Sequence, residues 1–197
     1  MMVLKHLDYN SVDIKKAARF SVAPMMDWTD RHCRYFHRKF TKKSLLYTEM
    51  VASAALVKGK AFHLLDFSNE EHPVALQLGG SDSVQLSEAA SIGEEHGYDE
   101  INLNVGCPSS RVQSGEFGAV LMKNPKLVAK CCEAMNKNTS VDITVKCRIG
   151  VDDQNPYQIL PEFLKYLCDA GISRVIIHAR KAILKGLSPK ENRDVPP

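Results

Sequence analysis

The sequence predicts an α/β fold of the TIM (β/α)8-barrel type, incomplete, with about six βα units present. Three observations predict it. Short apolar runs alternate with helical patterns along the 197 residues, the rhythm of βαβ units on a parallel sheet. Almost every run ends, on its C-terminal side, in polar or ionisable residues. No Gly-x-Gly-x-x-Gly follows the first run, which argues against a doubly wound dinucleotide fold.

The apolar runs are Phe20–Met25, Leu45–Val51, Val74–Leu78, Ile101–Val105, Ile143–Val145 and Arg174–Ile177. Leu86, Ala89, Ala90 and Gly93 recur at helical spacing, with Ser81 or Asp82 as cap and Gly97 at the exit. Val128, Cys131, Cys132 and Met135 repeat the pattern behind Asn124 as cap and Pro125 at the first helical position. Leu160, Phe163, Leu164 and Leu167 form the next, stopped by Gly171. The groups at the run ends are Pro24-Met25-Met26, Glu49, Gln77, Asn104 with Cys107, Lys146 with Arg148, and His178 with Arg180. Convergence of dissimilar side chains from successive strand ends is the mark of a barrel rim.

Ile101 to Ser110 carries the most information. Ile101, Leu103 and Val105 form one face of a strand, Asn102 and Asn104 the other. An amide on the inner face of a buried strand is costly without a partner. Gly106-Cys107-Pro108 then reads as a tight loop that holds a thiol at the strand ends. Each rim residue has a second reading. Lys146 either pairs with Glu49 or stands against a ligand's developing negative charge. His178 and Gln77 could be satisfied core groups, and Cys107 an inert thiol.

Composition bounds the remainder. At 44% hydrophobic the chain can build a substantial core, and its net charge of +3 permits a polyanionic partner without demanding one. Between Arg31 and Lys43 stand Arg31, Arg34, Arg38, Lys39, Lys42 and Lys43 with no acid, either a solvated helix face or a phosphate contact. The cysteines show no Cys-x-x-Cys and no metal spacing, so no metal is expected. Reduced thiols suit the cytoplasm. Met1–Asn10 lacks the apolar core of a secretory signal, and no run approaches the roughly 20 apolar residues of a membrane span.

Five blocks in order resemble the flavin-dependent tRNA-dihydrouridine synthases. They are Ala23-Pro-Met-Met-Asp-Trp-Thr-Asp30, Ala75-Leu-Gln-Leu-Gly-Gly80, Asn102-Leu-Asn-Val-Gly-Cys-Pro-Ser109, Val145-Lys-Cys-Arg-Ile-Gly150 and His178-Ala-Arg180. The tail from His178 to Arg193 is similar to the A-type subgroup, which acts on neighbouring uridines of the tRNA D-loop. The resemblance covers about Phe20 to Pro197. It implies a monomeric reductase that uses FMN and NADPH to saturate the C5–C6 bond of uridine, with tRNA as partner. It implies that Pro24, Met25 and Met26 line the flavin, that Gln77 meets its pyrimidine edge, and that Lys146 and His178 contact it. Cys107 matches the catalytic cysteine of the family. A free thiol, with a reference pKa of ~8.5, is mostly protonated at neutral pH and suits a general acid. Asn104 matches a residue facing the target base, and Arg180, Glu191 and Arg193 fall where the family meets tRNA.

The chain departs from the family in two ways. A complete barrel takes about 250 residues, so residues 1–197 are expected to be the N-terminal part of a flavin-binding barrel domain. By that resemblance the last strands, with their FMN phosphate loops, and the helical tRNA-binding domain are expected to fall outside these residues, as in a fragment, a truncated reading frame or an early-terminated product. Ile183 also stands where A-type members carry tryptophan. Three other readings remain: an inactive remnant of such an enzyme, a barrel lyase using Lys146 as a Schiff-base nucleophile, and a flavin reductase of a free pyrimidine.

Overall fold

The computed structural model describes residues 13–197; the stretch Met1–Asn10, read above for a signal, lies outside the described residues. The strands are β1 (Ser21–Val22), β2 (Leu45–Ala52), β3 (Val74–Gly79), β4 (Glu100–Val105), β5 (Asp142–Arg148) and β6 (Val175–His178). The α-helices are α1 (Ile14–Ala17), α2 (Arg31–Phe40), α3 (Ser53–Val57), α4 (Ser83–Glu95), α5 (Ser110–Ser114), α6 (Pro125–Asn138) and α7 (Pro156–Asp169). All strand pairs are parallel, and their spatial order is β1-β2-β3-β4-β5-β6. A doubly wound sheet reverses its order at a switch point. Unreversed order is the winding of a (β/α)8 barrel, here a six-stranded part of one.

Alternation sorts each strand into two faces. Leu76, Leu78, Ile101, Leu103, Ile143 and Val145 join Leu86, Ala90, Val128, Met135, Phe163 and Leu167 of the helices in one continuous core. Gly93 lets α4 lie close to the sheet, because a Cβ there would meet Ile101 and Leu76 side chains at 2.7 Å. The opposite face is polar and equally buried: Gln77, Glu100, Asn102, Asn104 and Thr144 all lie on it with little or no exposure. The expected caps hold. Asp82, not Ser81, caps α4, and Asn124 caps α6 ahead of Pro125.

Two expectations need correction. The first strand is confined to Ser21–Val22 rather than Phe20–Met25. Pro24 has no N–H for a ladder, and the chain turns away over Met25–Thr29, where Thr29 Oγ1 accepts from Met25 N at 3.0 Å. The basic run is neither wholly solvated nor wholly available to phosphate, because Arg34 and Arg38 are buried. Arg34 donates to Glu71 at 2.6 Å and to the Thr29 carbonyl at 2.8 Å. Arg38 donates to the carbonyls of Ser44, Glu71 and Pro73 at 3.0, 2.8 and 3.1 Å. The two guanidiniums thereby tie α2 to the entrances of β2 and β3.

Removing one partner of a buried ion pair strands the other charge, at a cost of about 3–5 kcal/mol. Glu71→Ala is therefore expected to lower unfolding stability in urea by that order. A loss below about 1 kcal/mol would show that the clamp is dispensable.

Candidate active site

Parallel strands place all their C-terminal ends at one rim. Register makes Gln77 the neighbour of Asn102, Asn104 the neighbour of Lys146, and Arg148 the neighbour of His178. Cys107 follows β4 directly, so thiol, ammonium and imidazole share the rim. Loops from the two ends of the sheet also meet there, since Arg193 reaches Met25 Sδ at 3.6 Å. Two surface hollows lie elsewhere: one between α2 and Phe67–Glu71, the other between α4 and α6.

The Cys107 loop is held by its backbone. Asn104 Oδ1 accepts from Gly106 N at 3.1 Å and from Cys107 N at 3.0 Å. The Cys107 carbonyl accepts from Ala119 N at 2.9 Å. That approach requires Gly118, whose φ is +75° and where a Cβ would lie 2.6 Å from the same carbonyl. The Gly106 carbonyl accepts from Arg148 Nε at 3.2 Å, and the Pro108 carbonyl from Gln113 at 2.8 Å. The Cys107 side chain is half-exposed at this fixed position.

Lys146 and His178 sit in a field of positive charge. Lys146 does not pair with Glu49; Glu49 Oε1 instead accepts from Asp27 N at 2.5 Å and pins the Pro24–Asp30 loop. No ion pair reaches Lys146 among the described residues. Burial, and after it the Arg148 charge, lowers the Lys146 ammonium below its usual value. Burial, followed by the charges of Arg148, Lys146 and Arg180, pushes His178 down to about 4, so its imidazole is neutral at pH 7. A half-buried ammonium without an anion, beside a neutral imidazole, fits a ligand that gathers negative charge. Met25 and Met26, on the loop after β1 that Arg193 reaches, are exposed and offer an apolar surface to a flat ring.

The remaining predicted residues fall as follows. Gln77 is 1% exposed and bonded at both ends of its carboxamide, and Asn104 is 9% exposed. Pro24 is half-buried. Arg180 is half-buried and donates to the Val195 carbonyl. Glu191 is exposed, and the Ser188 hydroxyl and N–H hold its carboxyl below the usual carboxylate range. Arg193 is exposed. Sequence reasoning missed Asn192, which is fully buried between these two. Its side chain bonds Ile183 N at 2.7 Å and the Ile183 carbonyl at 3.0 Å, while its own carbonyl accepts from Arg148 at 3.1 Å. Nothing in the local pattern separates Asn192 from its polar neighbours.

Among the described residues no group of three or more His, Cys, Asp or Glu could hold a metal ion, and no helix is long and apolar enough to cross a membrane.

Comparison with known proteins gives the family. The dihydrouridine synthase (Dus) family matches residues 21–197. The chain is 60% identical over 179 residues to a tRNA-dihydrouridine(20/20a) synthase of Pasteurella multocida (strain Pm70), covering 91% of this chain and 54% of that protein. It is 58% identical over 182 residues to the protein of the same name from Vibrio parahaemolyticus, covering 92% and 56%. Against that of Escherichia coli (strain K12) it is 58% identical over 186 residues, covering 94% and 54%. The chain thus spans about half the length of the curated relatives it matches. On the family match and these identities, the chain belongs to the dihydrouridine synthase family.

Proposed function

We propose that this chain carries the reducing centre of a tRNA-dihydrouridine synthase, acting on D-loop uridines in the cytoplasm as a monomer. The observation that carries the reading is the meeting, at one rim, of a pinned loop bearing Cys107 with Lys146 and His178. The name shared by the relatives supports the substrate, and six free thiols suit a reducing compartment.

The residues fit FMN. Lys146 would hold the ring system through its ammonium, which can stabilise the negative charge of the reduced flavin, and neutral His178 would offer it a hydrogen bond. Pro24, Met25 and Met26 would supply the apolar surface for the ring, and Gln77, with one N–H and one lone pair left over, would hydrogen-bond its pyrimidine edge. When bound and reduced by NADPH, FMN would supply the hydride for uracil C6.

The chain's own work is to place and protonate. As charge develops at uracil C5, the Cys107 thiol gives its proton there, and the sulfur regains one from solvent. The two additions, hydride at C6 and proton at C5, saturate the bond. The base leaves its stack to reach the rim, which is cheapest in a loop. Asn104 presents a donor to the base. Arg180, Glu191 and Arg193 border the rim where the tRNA backbone and neighbouring bases lie, and exposed Arg31 at the start of α2 adds to it, whereas exposed Lys39, Lys42 and Lys43 stand toward the entrance of β2, away from the rim.

FMN added to the chain is expected to lose fluorescence on binding. Lys146→Ala weakens that binding by roughly tenfold, the worth of one charge-assisted contact. Cys107→Ala leaves FMN binding unchanged and lowers dihydrouridine formation in tRNA by about 10²-fold or more. Absence of FMN binding by the wild type, or equal turnover in the cysteine variant, would overturn the reading.

His178 gives a pH test. Its value of about 4 in the folded chain lies below the roughly 6.5 of an unfolded histidine. Between these values the unfolded state binds more protons, so stability falls as pH drops through that window. The urea midpoint of wild type is expected to fall more between pH 7 and pH 5 than that of His178→Gln. An identical fall in both would show that His178 is not desolvated.

A further inference from the structure

Beneath the rim, the inner face of the sheet carries an unbroken line of hydrogen bonds. Thr144 Oγ1 donates to Glu100 Oε1 at 2.6 Å. Asn102 Nδ2 donates to Thr144 Oγ1 at 2.9 Å, and Gln77 Nε2 donates to Asn102 Oδ1 at 2.8 Å. Asn104 Nδ2 donates to Gln77 Oε1 at 2.8 Å. The line ends where Asn104 Oδ1 accepts the backbone N–H groups of Gly106 and Cys107. Every donor in it points toward Glu100.

Both ends impose that direction independently. At the lower end Glu100 is fully buried, paired with Arg174, and accepts from Tyr47 at 3.0 Å. Burial, and after it the Glu100 charge, raises the Tyr47 phenol, which stays a donor. A carboxylate accepts only, so the Thr144 hydroxyl must donate to it and can then only accept from Asn102. That turns the Asn102 amide nitrogen down and its oxygen toward Gln77. At the upper end, two backbone N–H groups can be satisfied only by an oxygen of Asn104. Three carboxamides, each free to flip in isolation, thus have one orientation that satisfies both ends.

We propose that Glu100, Thr144 and Asn102 are positioning residues. They fix the polarity of Gln77 and Asn104, and through Asn104 they hold the Cys107 loop. None of the three reaches the rim. Head-to-tail alignment strengthens each bond through its neighbours, so a defect at the bottom is felt at the loop. For catalysis the consequence rests on the assignment of Cys107 as the acid; the measurement below does not.

Amide exchange tests it directly. Thr144→Val keeps the side-chain shape and removes both hydroxyl bonds; Thr144→Ser keeps them. In the valine variant the Gly106 and Cys107 amides are expected to exchange roughly 5- to 10-fold faster, the order of one lost hydrogen bond. Ladder amides such as Leu76 and Val145 stay within about twofold, and the serine variant restores wild-type rates. Unchanged loop exchange in the valine variant, acceleration of the whole sheet with it, or failure of serine to rescue would each overturn the proposal. Should the valine variant not fold, the wild type decides. Slowly exchanging side-chain amide protons on Asn102, Gln77 and Asn104 sustain the relay, and exchange at the rate of free carboxamides overturns it.

Discussion

The inner face of this sheet must be polar to serve a ligand and buried to be part of a barrel, and Glu100 is where those demands collide. A carboxylate with no exposed surface costs several kcal/mol unless it is paired and its lone pairs are filled. Arg174 supplies the opposite charge, and the Tyr47 and Thr144 hydroxyls fill Oε1. Those partners come from β2, β5 and the residue just before β6, so one anion fastens widely spaced strands across the interior. The helices outside contribute area; Glu100 contributes direction.

Above that anchor, satisfaction declines in a graded way toward solvent. Asn102 and Thr144 are enclosed and matched. Gln77 and Asn104 are bonded on both sides of their carboxamides. Lys146 has no ion pair among the described residues, and the only bonds of Cys107 described above are those of its backbone. Rigid backbone with underused side chains is what a preorganised site requires: the geometry is fixed before anything arrives, and the chemistry is left over. Arg148 belongs to the rigid part. It joins the Cys107 loop to the Lys181 and Asn192 carbonyls, so the segment after β6 is fastened to the same strand that carries Lys146.

Much of this was legible in the chain itself. Period-two alternation in Ile101–Val105 identified the inner amides, and the grouping of Gln77, Asn104, Lys146 and His178 at run ends identified the rim. Long-range partners were not legible. Tyr47 and Glu100 are 53 residues apart, and no local pattern says that a phenol and a carboxylate will share an interior. Arg34 and Arg38 hid inside a charge run whose other members are solvated, because burial of an arginine depends on carbonyls brought in by β2 and the stretch before β3. The short β1 was misread because apolar character continues through Met25 while the ladder stops before Pro24.

The relay also limits what the rim can recognise. Asn104 Oδ1 has two lone pairs, and the Gly106 and Cys107 amides take both. One of its two N–H bonds goes to Gln77. What Asn104 has left is a single donor, so whatever meets it must present an acceptor. Under the proposed function that acceptor is a uracil carbonyl oxygen, and cytosine's exocyclic amine in the same place would confront a donor with a donor. Under that function, discrimination between the pyrimidines would originate in the polarity imposed by a carboxylate buried at the opposite end of the strand, away from the rim.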